Sequence, residues 1–135
     1  MASRGHEILE HTADIGLRVW APDLNELFAE AAIALIDVMG RGVGPVDRRE
    51  TVDLDAPDLE ALFVDWMSEV LFLFEVRNIV PQSVDVAVDR VTWRLHATIE
   101  GPAAEKFEQH GPAVKAVTYH GLEVGDREAT VYLDV

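Results

Sequence analysis

Cysteine is absent from the 135 residues. Its absence excludes disulfides, thiolate metal sites and cysteine nucleophiles, and it agrees with a reducing compartment. Basic residues are scarce. Eleven Lys and Arg stand against 25 Asp and Glu, a formal net charge of −14. A surface that grips a nucleic-acid backbone needs the opposite balance, so direct nucleic-acid binding is not expected. A basic protein partner or a divalent cation suits this chain better. Acidity that serves only solubility, or a salt-adapted host, explains the bulk charge equally well. Long hydrophobic runs are missing too. The most apolar stretch, near residues 70–74, is too short to span a bilayer, and the opening MASRGHEILE has no apolar signal core. The expectation is a soluble, cytoplasmic protein with no membrane contact. No Walker loop, no GxGxxG after a strand, no GxSxG and no HExxH occurs.

What is present is a globular composition. Hydrophobic residues make up 49% of the chain, enough for a core, and its length suits a single domain over residues 1–135. The first stretch, EILEHTADIGLRVW, reads as two strands around a polar turn. In APDLNELFAEAAIALIDVMGRG, Leu24, Leu27, Phe28, Ala31, Leu35 and Val38 recur at helical spacing. Asp23 with Glu26 forms a capping-box pattern, and Gly40 reads as the stop. A strand follows through Thr51–Leu54 alternation. A second amphipathic helix carries Leu59, Leu62, Phe63, Trp66, Met67, Val70, Leu71 and Phe74, with Pro57 suited to its first turn. Next comes a hairpin: Val84, Val86 and Val88, a turn at Asp89–Arg90, then Val91, Trp93, Leu95, Ala97 and Ile99. His96 falls on its polar face. AVKAVTYHGLEV and EATVYLDV are the last strands. The expected fold class is α+β, a mostly antiparallel or mixed sheet with two helices packed on it.

The chemistry centres on the two ends of the chain. A plain turn after Glu10 needs Gly and an Asp, but not His11 as well. Asp14 therefore reads either as a turn-capping residue or as a ligand. At the other end, Asp134 and the α-carboxylate of Val135 lie within a residue of each other. Two carboxylates held together repel unless a cation or proton intervenes. All-oxygen donors suit a hard cation such as calcium or magnesium. If the first hairpin and the last strand are neighbours, Asp14 supplies a third carboxylate. From the residues alone both readings stay open. His11 and His120 are candidate acid–base or contact groups, and Lys115 is a candidate partner for the carboxylates or for a phosphate.

Three motifs, in order, carry a resemblance: EHTADIGLRVWA near the start, LFVDWMSEVLFLFE in the middle, and VKAVTYHGLEV followed by a terminal LDV. Together they resemble the archease family over nearly the whole chain. The resemblance implies an α+β fold and an accessory protein, not an enzyme. It implies activation of the RNA-splicing ligase of tRNA processing, which joins a 2′,3′-cyclic phosphate or 3′-phosphate end to a 5′-hydroxyl. That ligase uses GTP and manganese through a guanylylated histidine. Some relatives are described as chaperones for a tRNA-modifying methyltransferase. The family's metal site falls on Asp14, Asp134 and the carboxylate of Val135, with calcium, magnesium or manganese as the cation. The competing class is a metal-dependent phosphohydrolase on the same carboxylates, with His11 or His120 as its base.

Overall fold

The computed structural model describes residues 3–10 and 14–135. His11, Thr12 and Ala13 lie outside the described residues. In chain order the elements are β1 (Gly5–Glu10), β2 (Asp14–Trp20), α1 (Leu24–Met39), β3 (Gly40–Arg41), β4 (Arg48–Asp55), α2 (Leu59–Val76), β5 (Ser83–Asp89), β6 (Arg94–Gly101), a short 3₁₀ turn (Ala104–Lys106), β7 (Glu108–Gln109), β8 (Ala116–Val124) and β9 (Glu128–Asp134). The strands form a four-stranded sheet ordered β1-β2-β9-β8, a three-stranded sheet ordered β4-β6-β5, and the small pair β3-β7. Every named strand pair is antiparallel. The α+β expectation therefore holds, with the strands divided among more than one sheet.

The helices join these sheets. α1 lies against β1 and β2 of the larger sheet and against β5 of the smaller one, while α2 lies against β8 and β4. A helix touched on several sides must be apolar on several sides. Twelve of the sixteen α1 residues are buried, among them Ala29, Ala31, Ala32 and Ala34, whose small side chains admit close neighbours. The helices also meet each other. The buried Trp66 indole N–H of α2 donates to the Phe28 carbonyl of α1 at 2.8 Å. Phe28 and Phe63 pack edge to face with centroids 5.3 Å apart, a preferred aromatic geometry.

Helix starts follow the sequence closely. Asp23 Oδ1 accepts from the Glu26 amide at 2.9 Å and Asp58 Oδ1 from the Ala61 amide at 2.8 Å, so aspartates cap both N-termini. Pro57 thus precedes the cap of α2 and is not part of its first turn. Gly40 does end α1, but not through a left-handed residue. Its backbone is extended, and a Cβ there would lie 2.1 Å from the Glu108 carbonyl oxygen. The small residue is needed because β7 passes that close, a pairing that alternation in two-residue strands is too brief to reveal.

The β5–β6 hairpin corrects one expectation. Its loop spans residues 90–93, and Asp89 pairs with Arg94, so Val91 and Trp93 are loop residues. Val91 is 90% exposed and Trp93 has φ 53°. The cause is local. The Asp89 carboxylate accepts from the Val91 and Thr92 amides at 2.9 and 3.2 Å, closing the loop with side-chain bonds. These two amide bonds also hold the Asp89 carboxyl below its usual range. The valine–tryptophan alternation ran through a turn it did not control. His96 is exposed, as expected, and its Nδ1 meets Asp53 Oδ1 at 2.7 Å.

One polar cluster pins β1 to α1. Glu30 is buried, with Oε1 accepting from Arg4 Nε at 2.5 Å and Oε2 meeting His6 Nδ1 at 2.5 Å. His6 Nε2 meets Asp37 Oδ2 at 2.8 Å. Carboxylates only accept, so both ring nitrogens must donate, and the imidazolium is the form that fits. Burial works against that charge, but the bonds to Asp37 and Glu30 outweigh it and raise the His6 pKa. A raised folded-state value means that stability is fully present below the unfolded value, about 6.5, and is lost as pH rises through the folded value. Urea denaturation midpoints are therefore expected to fall as pH rises above about 6.5, and His6→Ala is expected to flatten that dependence. Trp66→Phe removes both an indole donor and volume. It is expected to cost about 2 kcal/mol in the same assay.

Candidate metal centre

The β2–β9 ladder decides where the two acidic ends meet. Its register pairs Leu17 with Val131, Gly16 with Tyr132, Ile15 with Leu133, and Asp14 with Asp134. Alternation then sorts the faces. Leu17 and Val19 of β2 and Ala129, Val131 and Leu133 of β9 are buried toward the helices. Asp14 and Asp134 belong to the opposite set and share the outer face at one end of the sheet. Directly opposed residues of an antiparallel pair have Cβ atoms about 4.5–5.5 Å apart. Residues 120 positions apart in sequence are therefore side by side.

β8 completes the setting. Ala116 lies opposite Asp134 on the far side of β9, and the Lys115 amide donates to the Asp134 carbonyl at 2.7 Å. Lys115 thus fixes the main chain next to the acidic pair, and its side chain is exposed. The structure does not bring His120 to the carboxylates. It lies four residues beyond Ala116, on the order of 10 Å along the strand, in a segment where the β8–β9 register shifts. His11, the other expected contact, lies outside the described residues.

Asp14 is half-buried with its Oδ1 enclosed, while Asp134 is exposed. Placing two carboxylates opposite each other costs stability unless positive charge compensates. Among the described residues, no three His, Cys, Asp or Glu side chains gather into a ligand group. The oxygen donors that the register brings together are therefore the two side-chain carboxylates of Asp14 and Asp134. This set fits calcium or magnesium, hard cations that take oxygen donors and retain waters. It does not suit a soft metal.

Sequence reasoning missed Tyr132. It neighbours Asp134 on the outer face of the sheet, two positions along β9. A Cβ on Gly16 would lie 2.9 Å from its ring, and one on Gly121 would also lie 2.9 Å from it. The tyrosine ring therefore lies across two glycines, one on each neighbouring strand, with Gly121 at φ 68°. The signal was available only as separate glycines, because their common neighbour depends on the register of three strands. Asp134→Asn is expected to raise the stability of the metal-free protein by about 0.2–1 kcal/mol, through removal of one of two opposed charges. Chemical denaturation in chelator checks this, and unchanged or lower stability would contradict it.

The fold and this site define a class first: small acidic α+β proteins whose N-terminal hairpin and last strand share one sheet around two buried helices. Residues 6–135 match the model of the Archease protein family. This chain belongs to the archease family. It is 36% identical to Protein archease of Methanosarcina mazei over 150 residues, covering 100% of both chains. It is 38% identical to Protein archease of Thermococcus gammatolerans over 127 residues, covering 90% of this chain and 88% of the relative. Among solved structures, the solution structure of Methanobacterium thermoautotrophicum protein 1598 superposes with a TM-score of 0.78 at 30% identity, covering 97% of this chain and 99% of that one. Archeases are accessory proteins rather than enzymes, and this chain is read accordingly. Among the described residues, no helix is long and apolar enough to cross a membrane.

Proposed function

We propose that this chain activates a GTP- and manganese-dependent RNA-splicing ligase, promoting its guanylylation and its repeated turnover. Membership of the archease family supports the reading. The observation that carries it is the pairing of Asp14 with Asp134 at one end of a sheet, in a chain of net charge −14. In this reading Asp14, Asp134 and the Val135 carboxylate hold a divalent cation: calcium, or magnesium or manganese in the cell. The cation supplies charge neutralisation and orientation at phosphate oxygens when bound.

The chain's own contribution is placement. β2 and β9 set the carboxylates on a rigid ladder, and the Lys115 amide fixes the main chain at Asp134. The acidic surface draws the protein toward the basic, RNA-binding face of a ligase, an effect that weakens with salt. A chaperone for a tRNA-modifying methyltransferase would need a broad apolar surface, and no single observation favours that reading.

The test uses the partner ligase at limiting concentration, scored for guanylylation and for turnovers per ligase. Both are expected to rise with the intact protein and to return to the unassisted level with Asp14→Ala. In parallel, calcium or manganese at about 100 times its Kd is expected to stabilise the intact protein by about 2.7 kcal/mol, and Asp14→Asn or Asp134→Asn far less. Normal activation by Asp14→Ala refutes the model of an acidic tip.

A further inference from the structure

The edge strands of the two larger sheets differ in how they are guarded. β5 lies along α1, whose Asn25 Oδ1 accepts from the Val88 amide at 2.8 Å. β8 is interrupted by a register shift between Thr118 and Glu123, and an irregular edge is a poor template for another strand. β1 carries Glu7 and Glu10, and its one base, His6, is already held by Glu30 and Asp37. β4 has none of these guards. Its eight residues contain no Gly or Pro and pair with β6 without a break. Among the described residues, no backbone hydrogen bond joins its other side to a neighbour. The Ala56 amide donates to the Trp93 carbonyl at 3.1 Å, one step beyond the Asp55–Arg94 pair. Alternation of the ladder then turns the N–H and C=O groups of Arg49, Thr51, Asp53 and Asp55 away from β6, into solvent.

We propose that β4 pairs antiparallel with β4 of a second copy of this chain, about a two-fold axis at Val52. Two three-stranded sheets then become one of six. Charge complementarity selects the occupant. β4 is basic at its start, with Arg48 and Arg49, and acidic at its end, with Asp53 and Asp55. Antiparallel self-pairing lays one half on the other. With the axis at Val52, Arg49 faces Asp55 of the second copy. Thr51 faces Asp53, whose carboxylate can accept from the threonine hydroxyl. All four side chains are on the outer face of the sheet, where opposite charges on facing strands stabilise the pair. The charges also fix the register. Sliding one copy by two residues sets Asp47 against Asp55 in one direction and Asp53 against Asp53 in the other. In the chosen register the two Asp53 side chains meet only diagonally, and each already meets His96 Nδ1 at 2.7 Å. Arg49 has Glu100 beside it on β6 and gains a carboxylate on its open side.

Charge on an edge strand ordinarily guards against such pairing. That role accounts for the presence of charges on β4 but not for their division into a basic and an acidic half. Charges of one sign guard better, as on β1. The overall −14 opposes association in general, so a self-contact needs locally matched charges of this kind. β4 carries none of Asp14, Asp134 and Val135, and the pairing stands independently of the metal centre.

Sedimentation equilibrium and amide hydrogen exchange of the full chain, between about 10 μM and 1 mM, test the pairing. A monomer–dimer equilibrium is expected. Exchange is expected to slow selectively at Arg49, Thr51, Asp53 and Asp55 as the dimer fills, relative to Glu50, Val52 and Leu54. Thr51→Pro removes an N–H that points outward, so the ladder to β6 survives while the dimer is lost. A melting curve in dilute solution verifies the fold of this variant. Arg49→Asp and Asp55→Arg each set like charges opposite one another twice per dimer, and each is expected to weaken self-association about tenfold. Mixed one to one, they are expected to restore it, because every facing pair is again opposite in sign. A chain that stays monomeric throughout this range overturns the proposal and leaves the edge to an extended segment of another protein. A dimer that survives in folded Thr51→Pro, or that leaves the four outward amides unprotected, overturns it equally.

Discussion

The contact between the two helices governs the rest of this molecule. Trp66 reaches from α2 to the Phe28 carbonyl, and Phe28 meets Phe63 edge to face. With the helices locked together, each still has apolar surface to bury on its other sides. Leu17, Val19, Val131 and Leu133 cover it from the larger sheet; Val52, Val86, Leu95 and Ile99 are buried in the smaller. Neither sheet needs an apolar outer face in such an arrangement. Those outer faces are accordingly polar, with Asp14 and Asp134 on one and Asp53, Asp55, Arg94 and His96 on the other. An acidic surface is compatible with a 49% hydrophobic composition because the apolar residues concentrate around the helix pair.

Much of this was legible beforehand. Helical spacing and aspartate caps located α1 and α2 because both signals are local and strong. The outer strands were found from alternation. Alternation fails where something else sets the backbone: in residues 90–93 the Asp89 carboxylate closes a loop through a stretch that still alternates, and β3 and β7 are too short to have a period. The burial of Glu30 is another silent feature. On paper it is one of many helix acids, and only the approach of Arg4, just before β1, and of His6 in β1 makes an interior place for it.

The candidate site shows the same division. Residues alone suggested that Asp14 and Asp134 matter if the chain ends are neighbours, and that condition is a matter of register. Register cannot be read from either strand by itself, since it follows from which faces the helices bury. Tyr132 was invisible for that reason: its neighbours Gly16 and Gly121 come from strands far apart in sequence. His120 was misleading in the opposite way. It is close in sequence to Lys115, but the irregular pairing of β8 carries it elsewhere.

The ladder between β2 and β9 has a consequence for biosynthesis. β2 leaves the ribosome long before β9, and their pairing closes a long stretch of chain into a loop. Contacts of such separation form slowly compared with helices and hairpins. Until then β2 has only β1 beside it, and a lone hairpin is marginal in water. The juxtaposed carboxylates are therefore absent from a nascent or truncated chain. A fragment that lacks its last strand has the same acids but nowhere to bring them together, so incomplete translation products are silent at this site.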